Sequence, residues 1–228
     1  MHYSELKNYG VMFTPEPSPK AMMTSFAVLP QEVGILGTPK FMVKLGNQER
    51  KWKKRTFKAA VDRGITHEKF ISSLHTPLAF ANALKQTCGR EKTLNIYKKL
   101  AEKMGVMVWE EQMPSPEDFL RCINPWEALL SYMREVFRLW NEERVILSEV
   151  ATDTEEELHL RVVDCAWHSA YCEGGFPEMG PIGGQADVTF MGQLTESLGG
   201  SFERECWLCR GDAHCDWRFS RNGGTQLT

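Results

Sequence analysis

The stretch that decides the fold reads DCAWHSAYCEGGFPEMG at residues 164–180, GGQADVTFMGQL at 183–194 and SFERECWLCRGDAHCDWRF at 201–219. It contains five of the seven cysteines and three of the seven tryptophans of the chain. No other stretch concentrates so many groups that can bind a metal, attack carbon or move a proton. We therefore place the candidate site here and treat the rest of the chain as scaffold and cover.

The pattern around this stretch predicts strands, a helix and further strands. Residues 144–167 carry β-branched residues on both sides of a polar turn near 153–155, which is typical of a hairpin. A Gly/Pro-rich loop is predicted over residues 174–184, followed by one helix that ends at Gly199. SFERECWLC and HCDWRFSR are predicted as two strands joined by the tight turn RGDA. The order is ββ-α-ββ, and consecutive hairpins imply an antiparallel sheet.

Upstream of this unit, apolar residues recur at the spacing of helices. One helix is predicted over residues 66–87, where Pro77 is expected to kink or divide it. A second is predicted over residues 91–105, with Gly105 as its cap.

These elements predict an α+β fold in two regions. The first, residues 1–142, is helical and begins with an extended, proline-containing arm over residues 1–20. The second, residues 143–228, is a small α+β unit with an antiparallel sheet, and it carries the candidate site. Because the helical region is rich in apolar residues, we predict that it forms a homodimer.

Composition and charge narrow the class of partner. The net charge of −3 gives no electrostatic footprint for nucleic acid, and no apolar run reaches the length of a membrane span. The N-terminus lacks a basic leader followed by an apolar run, so we expect a cytoplasmic protein with its cysteines as thiols. No G-x-S-x-G or phosphate-loop signature occurs, and we expect a small-molecule substrate and no cofactor.

Four features follow one another in the last third of the chain. A cysteine ends a strand at Cys165, an acidic residue opens a helix at Asp187, F-x-R follows at 202–204, and a glycine turn leads to CDWRF at 215–219. This order resembles the L-2-amino-thiazoline-4-carboxylic acid hydrolase family, whose members begin with helices and end with G-x-x-x-C-x-F/W-x-F. The tail also resembles the four-vinyl-reductase type of small-ligand-binding domain. The first resemblance implies hydrolysis of a cyclic C–N bond in a small heterocycle.

One position departs from the family pattern. A cysteine usually stands three residues before the helix aspartate in that family, and this chain has Gly184 there. If that cysteine is required to hydrolyse the thiazoline ring, this chain has another activity.

The candidate catalytic residues are Cys165, His168 and Asp187. Ring opening needs a nucleophile or activated water, a general base and a proton donor for the leaving atom. Cys165 is the candidate nucleophile, His168 would lower its pKa, and Asp187 would orient His168 or activate water. Each also has a structural interpretation, because a buried cysteine packs as a small apolar residue and an aspartate can cap a helix.

The candidate substrate-binding residues are Arg204, Cys215 and Gly184. Arg204 would bind a substrate carboxylate through two hydrogen bonds, or pair with an acidic neighbour instead. The glycines before Asp187 would let the backbone approach a ligand, or form only a surface turn. We predict a pocket at this end of the sheet, covered by the N-terminal helices.

Zinc is the alternative for the cysteines. Cys206, Cys209, His214 and Cys215 match a structural zinc site in number. On a strand, however, residues that are adjacent or three apart point to opposite faces, so these four residues are not expected to meet at one ion. We predict no metal, and we expect Cys209 and Cys215 to meet across the hairpin, alone or with Cys165.

Three functions stay open. The first is a hydrolase-like enzyme for a small carboxylated or heterocyclic substrate, and the second is a small-molecule-binding module without turnover. The third is an isomerase or lyase that uses Asp187 and His168 in acid–base chemistry.

Overall fold

The computed structural model describes Leu6, residues 19–66 and residues 68–221. Helices come first: α1 (Pro19–Val33), α2 (Gly37–Trp52), α3 (Lys58–Val61), α4 (Glu68–Cys88), α5 (Arg90–Gln112), α6 (Pro116–Leu120) and α7 (Pro125–Glu142). The rest comprises β1 (Ile146–Asp153), β2 (Glu157–Cys165), α8 (Ala166–Glu173), α9 (Met179–Ser197), β3 (Gly200–Glu203), a 3-10 helix (Leu208–Arg210) and β4 (Cys215–Arg221). This order confirms the predicted α+β fold, with two helices between the two strand pairs.

The four strands form one antiparallel sheet in the order β1-β2-β4-β3. β2 and β4 are its central strands, and Val162 pairs with Cys215 in their register. Because β2 ends where β4 begins, Cys165 and Cys215 lie at the same end of the sheet. The sheet topology therefore brings together two cysteines that are far apart in the chain.

The larger of two hydrophobic clusters joins helices to the inner face of the sheet, and the smaller packs α1, α2, α4 and α5 together. Phe137 and Trp140 of α7 contact Trp217 of β4 edge-on, with ring centroids 5.3 and 6.4 Å apart. Cys215, Trp217 and Phe219 alternate along β4 and are all buried in this core. Since successive strand residues point to opposite faces, Asp216 lies on the outer face of the sheet.

Two helices continue through residues that were expected to interrupt them. α4 is unbroken at Pro77, although the proline removes one backbone hydrogen bond of the helix. Leu74 and Leu78 on its inner face are fully buried, and this burial stabilises the helix by more than the lost hydrogen bond costs. α5 likewise passes through Gly105. A Cβ there would lie 2.2 Å from the Cβ of Ala186, so the glycine permits close contact with α9 and does not end the helix.

The predicted loop over residues 174–184 is wrong in its second half. α9 begins at Met179 and contains Pro181 in its first turn, where a proline costs no helical hydrogen bond. Gly183 and Gly184 are therefore helical. Asp187 lies well inside α9, not at the N-terminal end where it was expected.

The predicted last hairpin is also wrong in detail. β3 ends at Glu203, and residues 204–214, which we call the cover loop, replace the expected strand and tight turn. Side chains supply the acceptors inside this loop: Asp212 Oδ2 accepts from the backbone N of Trp207 at 2.7 Å. Gly211, with φ of 98°, ends the 3-10 helix in the left-handed region that favours glycine.

The predicted extended arm over residues 1–20 lies outside the described residues, apart from Leu6 and the start of α1 at Pro19. All seven cysteines are described, and all are free thiols. Among the described helices, none combines the length and apolar composition that crossing a membrane requires.

Candidate functional site

A buried guanidinium, that of Arg204, lies at the end of the sheet where β2 ends and β4 begins. The Arg204 side chain is only 9% exposed. Its central carbon lies 4.4 Å from the ring centroid of Trp207 and 5.1 Å from that of Trp217. Burying a cation is costly unless the cation is paired, so its hydrogen-bond partners determine what this site can do.

Asp187 is the ionic partner of Arg204. Nη1 of Arg204 donates to Oδ2 of Asp187 at 2.9 Å, and the indole N–H of Trp109 donates to Oδ1 at 3.0 Å. Nε of Arg204 is buried and has no hydrogen-bond partner within the described part of the chain. The guanidinium is therefore neutralised by one carboxylate while its Nε donor stays unsatisfied, as do three buried indole N–H groups elsewhere in the described part of the chain. An unmade hydrogen bond costs more for a charged group such as Arg204 than for these neutral indoles.

Two thiols lie beside this ion pair. Cys165, the last residue of β2, and Cys215, the first of β4, are both close enough to interact with Arg204. Burial raises the pKa of the Cys165 thiol to about 11, although backbone N–H groups of His168 and Trp167 at the start of α8 act in the opposite direction. At neutral pH Cys165 is therefore a protonated thiol.

Two phenols complete the set, and the sequence analysis missed both. Tyr97 of α5 and Tyr171 of α8 interact through their side chains. Burial raises the pKa of Tyr97 to about 12 and that of Tyr171 well above its usual value, so both stay protonated and can donate. We call this set the Arg204 cluster: Tyr97, Trp109, Cys165, Tyr171, Asp187, Arg204 and Cys215.

Gly184 marks the place where α9 passes directly beside the cluster. A Cβ on this residue would lie 2.5 Å from Cζ3 of Trp207 and 3.2 Å from Nη1 of Arg204. Its neighbour Gly183 has no atom within 4 Å of the corresponding position. Of these two glycines, Gly184 is therefore the one that packing requires, and the indole of Trp207 fills the space that another side chain would need.

His168 lies apart from the ion pair. Its Nε2 is 3.6 Å from Sγ of Cys172, one turn further along α8. Burial lowers the pKa of the imidazole, which favours its neutral form. Within the described residues Asp187 pairs with Trp109 and Arg204, and not with this imidazole. The structure thus brings Cys165, Gly184, Asp187, Arg204 and Cys215 together, whereas His168 reaches Cys165 only through its backbone.

The two best-defined cavities in the described part of the chain lie away from the cluster. The larger, about 770 Å³, is an open cleft at the start of α5, lined by charged residues that include Glu32, Lys99 and Glu102. The smaller, about 30 Å³, lies on the outer face of the sheet. The open cleft is lined by surface charges of both signs and does not enclose a small ligand, in contrast to the buried Arg204 cluster.

The family model of L-2-amino-thiazoline-4-carboxylic acid hydrolase matches residues 68–219. The chain belongs to this family. The match runs from the start of α4 into β4, so it includes every member of the Arg204 cluster and excludes α1 to α3. This confirms the family predicted from the sequence, and the four-vinyl-reductase resemblance stays a prediction.

No curated protein sequence matches this member of the family. Two solved structures from K. algicida, an Fe(II) unliganded H-NOX protein and a single-residue mutant of it, are similar with TM-scores of 0.41 and 0.40. Their identities are 11% and 12%, and each match covers 91% of this chain and 98% of the other. A likeness of this degree supports no statement about activity.

Proposed function

We propose that this chain hydrolyses a small carboxylated heterocycle of the 2-amino-thiazoline-4-carboxylate type, and that the Arg204 cluster is its active site. The observation that carries the proposal is the unsatisfied Nε of Arg204, buried beside a carboxylate, two thiols and two phenols. A ligand carboxylate would accept a hydrogen bond from this donor and remove the cost of leaving it unmade. Membership of the hydrolase family supports the class of substrate.

Binding would place the ligand carboxylate against the free edge of the guanidinium. The indoles of Trp207 and Trp217 cover Arg204 and keep water from it, which strengthens the electrostatic attraction. Trp207 belongs to the cover loop, and this loop has to move to admit a ligand. The cover loop therefore acts as the lid of the proposed site.

The reaction adds water at the ring carbon that lies between sulfur and nitrogen. One bond from that carbon to a ring heteroatom breaks, and the leaving heteroatom takes a proton. We assign Cys165 as the nucleophile, Asp187 as the base that accepts its proton and Tyr171 as the donor to the leaving atom. Because Cys165 is a thiol at rest, its proton passes to Asp187 as the sulfur bonds to the ring carbon. Water then attacks the same carbon, the bond to the Cys165 sulfur breaks, and Cys165 leaves as a thiolate that regains its proton.

His168 has a smaller role in this proposal than the sequence suggested. Its backbone N–H lies near Cys165 and stabilises a developing thiolate, together with that of Trp167. Its imidazole is engaged with Cys172. Replacing the imidazole should therefore affect turnover less than replacing Cys165 does.

Binding without turnover is the second candidate function. The raised pKa of Cys165 and the presence of Gly184 at the position of a family cysteine favour it. The two candidate functions share a ligand and a site. One result distinguishes them: with the unaltered chain, a binding module releases the ligand unchanged, whereas an enzyme releases a product.

The location of the site is tested by a pair of adjacent glycines. In a Cys165→Ser background, which blocks turnover, Gly184→Ala should weaken the binding of L-2-amino-thiazoline-4-carboxylic acid at least tenfold, about 1.4 kcal/mol, because it displaces Trp207 and Arg204. Gly183→Ala, in the same background, should leave the affinity unchanged. Isothermal titration calorimetry measures both, and equal affinities would place the ligand elsewhere.

A further inference from the structure

A second group of reactive side chains lies on the outer face of the sheet, away from the Arg204 cluster. Asp216 of β4 points outward there, yet it is only 8% exposed. His159 lies on the neighbouring strand β2, and Cys206 and His214 come from the two ends of the cover loop. A buried carboxylate on the solvent side of a sheet needs partners, and these three residues provide them.

The partners converge on one carboxylate. Nε2 of His159 lies 2.8 Å and Nε2 of His214 lies 3.2 Å from the same Oδ1 of Asp216. The backbone N–H of Cys206 donates to Oδ2 at 3.2 Å. The ligand atoms of Cys206, His214 and Asp216 all lie within 4.8 Å of one another. A thiol, an imidazole and a carboxylate at these separations can reach a single ion with bonds of about 2.0–2.3 Å.

The surroundings favour a cation. A cavity of about 30 Å³ adjoins the group and is lined by His159, Glu203, Glu205, Asp216 and Arg218. Arg218 is the cation in that lining, and Glu157 already pairs with it at 3.0 Å. The remaining carboxylates attract positive charge, and the cavity has about the volume of one water molecule.

This group differs from the four residues that the sequence suggested for zinc. Cys215 points into the core and Cys209 lies beside it, near Arg204. Cys206 and His214 lie on the other face. The expectation that the four residues would not meet thus agrees with this arrangement, although residues 204–214 are a loop and not a strand. Asp216, which the sequence did not suggest as a ligand, stands with Cys206 and His214 in place of Cys209 and Cys215.

We propose that Cys206, His214 and Asp216 bind one zinc ion, with a water molecule as the fourth ligand. Thiolate, imidazole and carboxylate are all zinc ligands, and three protein ligands with one open position is an established arrangement. His159 is a positioning residue, which holds Asp216 through its hydrogen bond to Oδ1. The ion would join both ends of the cover loop to β4. The metal titration that tests this site does not depend on the proposed hydrolase activity.

Metal titration of the full chain tests the proposal. After dialysis against a chelator, the protein should bind one equivalent of Zn²⁺, and Co²⁺ in its place should give a thiolate-to-cobalt charge-transfer band in the near ultraviolet. Cys206→Ser should abolish that band and weaken zinc binding at least a hundredfold. His159→Gln should keep the band and weaken binding on the order of tenfold to a hundredfold.

Two other cysteines serve as controls. Cys88→Ser, on α4, and Cys209→Ser, on the other side of the cover loop, should both bind Zn²⁺ as the unaltered chain does. The proposal is overturned if the unaltered chain binds no stoichiometric Zn²⁺, if its cobalt complex has no thiolate band, or if Cys209→Ser removes the metal. Should Cys206→Ser fail to fold, the cobalt spectrum of the unaltered chain and the His159→Gln affinity decide the question.

Discussion

Asp187→Ala is expected to lower the free energy of unfolding by about 3–5 kcal/mol. The substitution removes the carboxylate that neutralises Arg204 at 2.9 Å, and the Arg204 side chain is only 9% exposed. An arginine cannot lose its proton in a protein, so the buried charge would stay without a partner. Denaturation by urea, followed by circular dichroism, measures the loss.

The reverse substitution should cost less. Arg204→Met leaves Asp187, whose side chain is 22% exposed and keeps its hydrogen bond from Trp109. The double variant should be more stable than Asp187→Ala alone, because no unpaired charge remains. Asp153→Ala is the matched control: it removes a partner of Arg134 from a more exposed pair and should cost less than about 1 kcal/mol. If Asp187→Ala lowers the free energy of unfolding no more than this control does, the Asp187–Arg204 ion pair is not shielded from solvent.

Stability should fall steeply at high pH because of Cys165. Its pKa rises from an ordinary 9.0 to about 11 in the folded protein, so folding favours the protonated thiol. The stabilisation is complete below about pH 9 and is lost as the pH rises towards 11. Two pKa units correspond to about 3 kcal/mol, which we take as an upper value.

A variant that lacks only this thiol isolates the effect. Cys165→Ala should be less stable at pH 7, because it leaves a small void, but its unfolding free energy should fall less between pH 9 and pH 11. Burial also raises the pKa of Tyr97, to about 12, and its loss of stability at high pH is common to both proteins. Parallel curves of unfolding free energy against pH would show that Cys165 ionises as freely in the folded chain as in the unfolded one.

The strands and their order were predictable because their signals are local. Leu158, Leu160 and Val162 are buried at every second position of β2, which is the pattern that the sequence displays. The same alternation separates Cys215 from Asp216. The sequence therefore predicted an antiparallel sheet. It left open whether Cys165 meets Cys215, because that contact depends on the pairing of β2 with β4, which local patterns do not give.

The structural roles of several glycines and prolines were predicted wrongly because those roles depend on tertiary contacts. Gly105 and Gly184 lie within helices, where they allow Ala186 and Trp207 to come close. A single sequence does not distinguish a glycine that turns the chain from one that admits a neighbouring side chain. A loop was therefore predicted where α9 begins and the chain is helical.

The two members of the Arg204 cluster that lie on α5, Tyr97 and Trp109, could not be predicted. Trp109 and Asp187 are 78 residues apart, and Tyr97 lies on an ordinary apolar helical stripe. Neither aromatic residue differs in local pattern from a core residue. Only tertiary packing gives the N–H of Trp109 its partner Asp187 on α9, and the O–H of Tyr97 its partner Tyr171 on α8.

Turnover of L-2-amino-thiazoline-4-carboxylic acid is the most direct test of the proposed function. The purified chain is incubated with this compound, and mass spectrometry follows a product that is heavier by one water molecule. We predict product from the unaltered chain and from Gly183→Ala, and none from Cys165→Ser or from Arg204→Met. Product formation by both of these variants at the unaltered rate, or recovery of the bound compound unchanged from the unaltered chain, would contradict the assignment of the Arg204 cluster as a hydrolytic site.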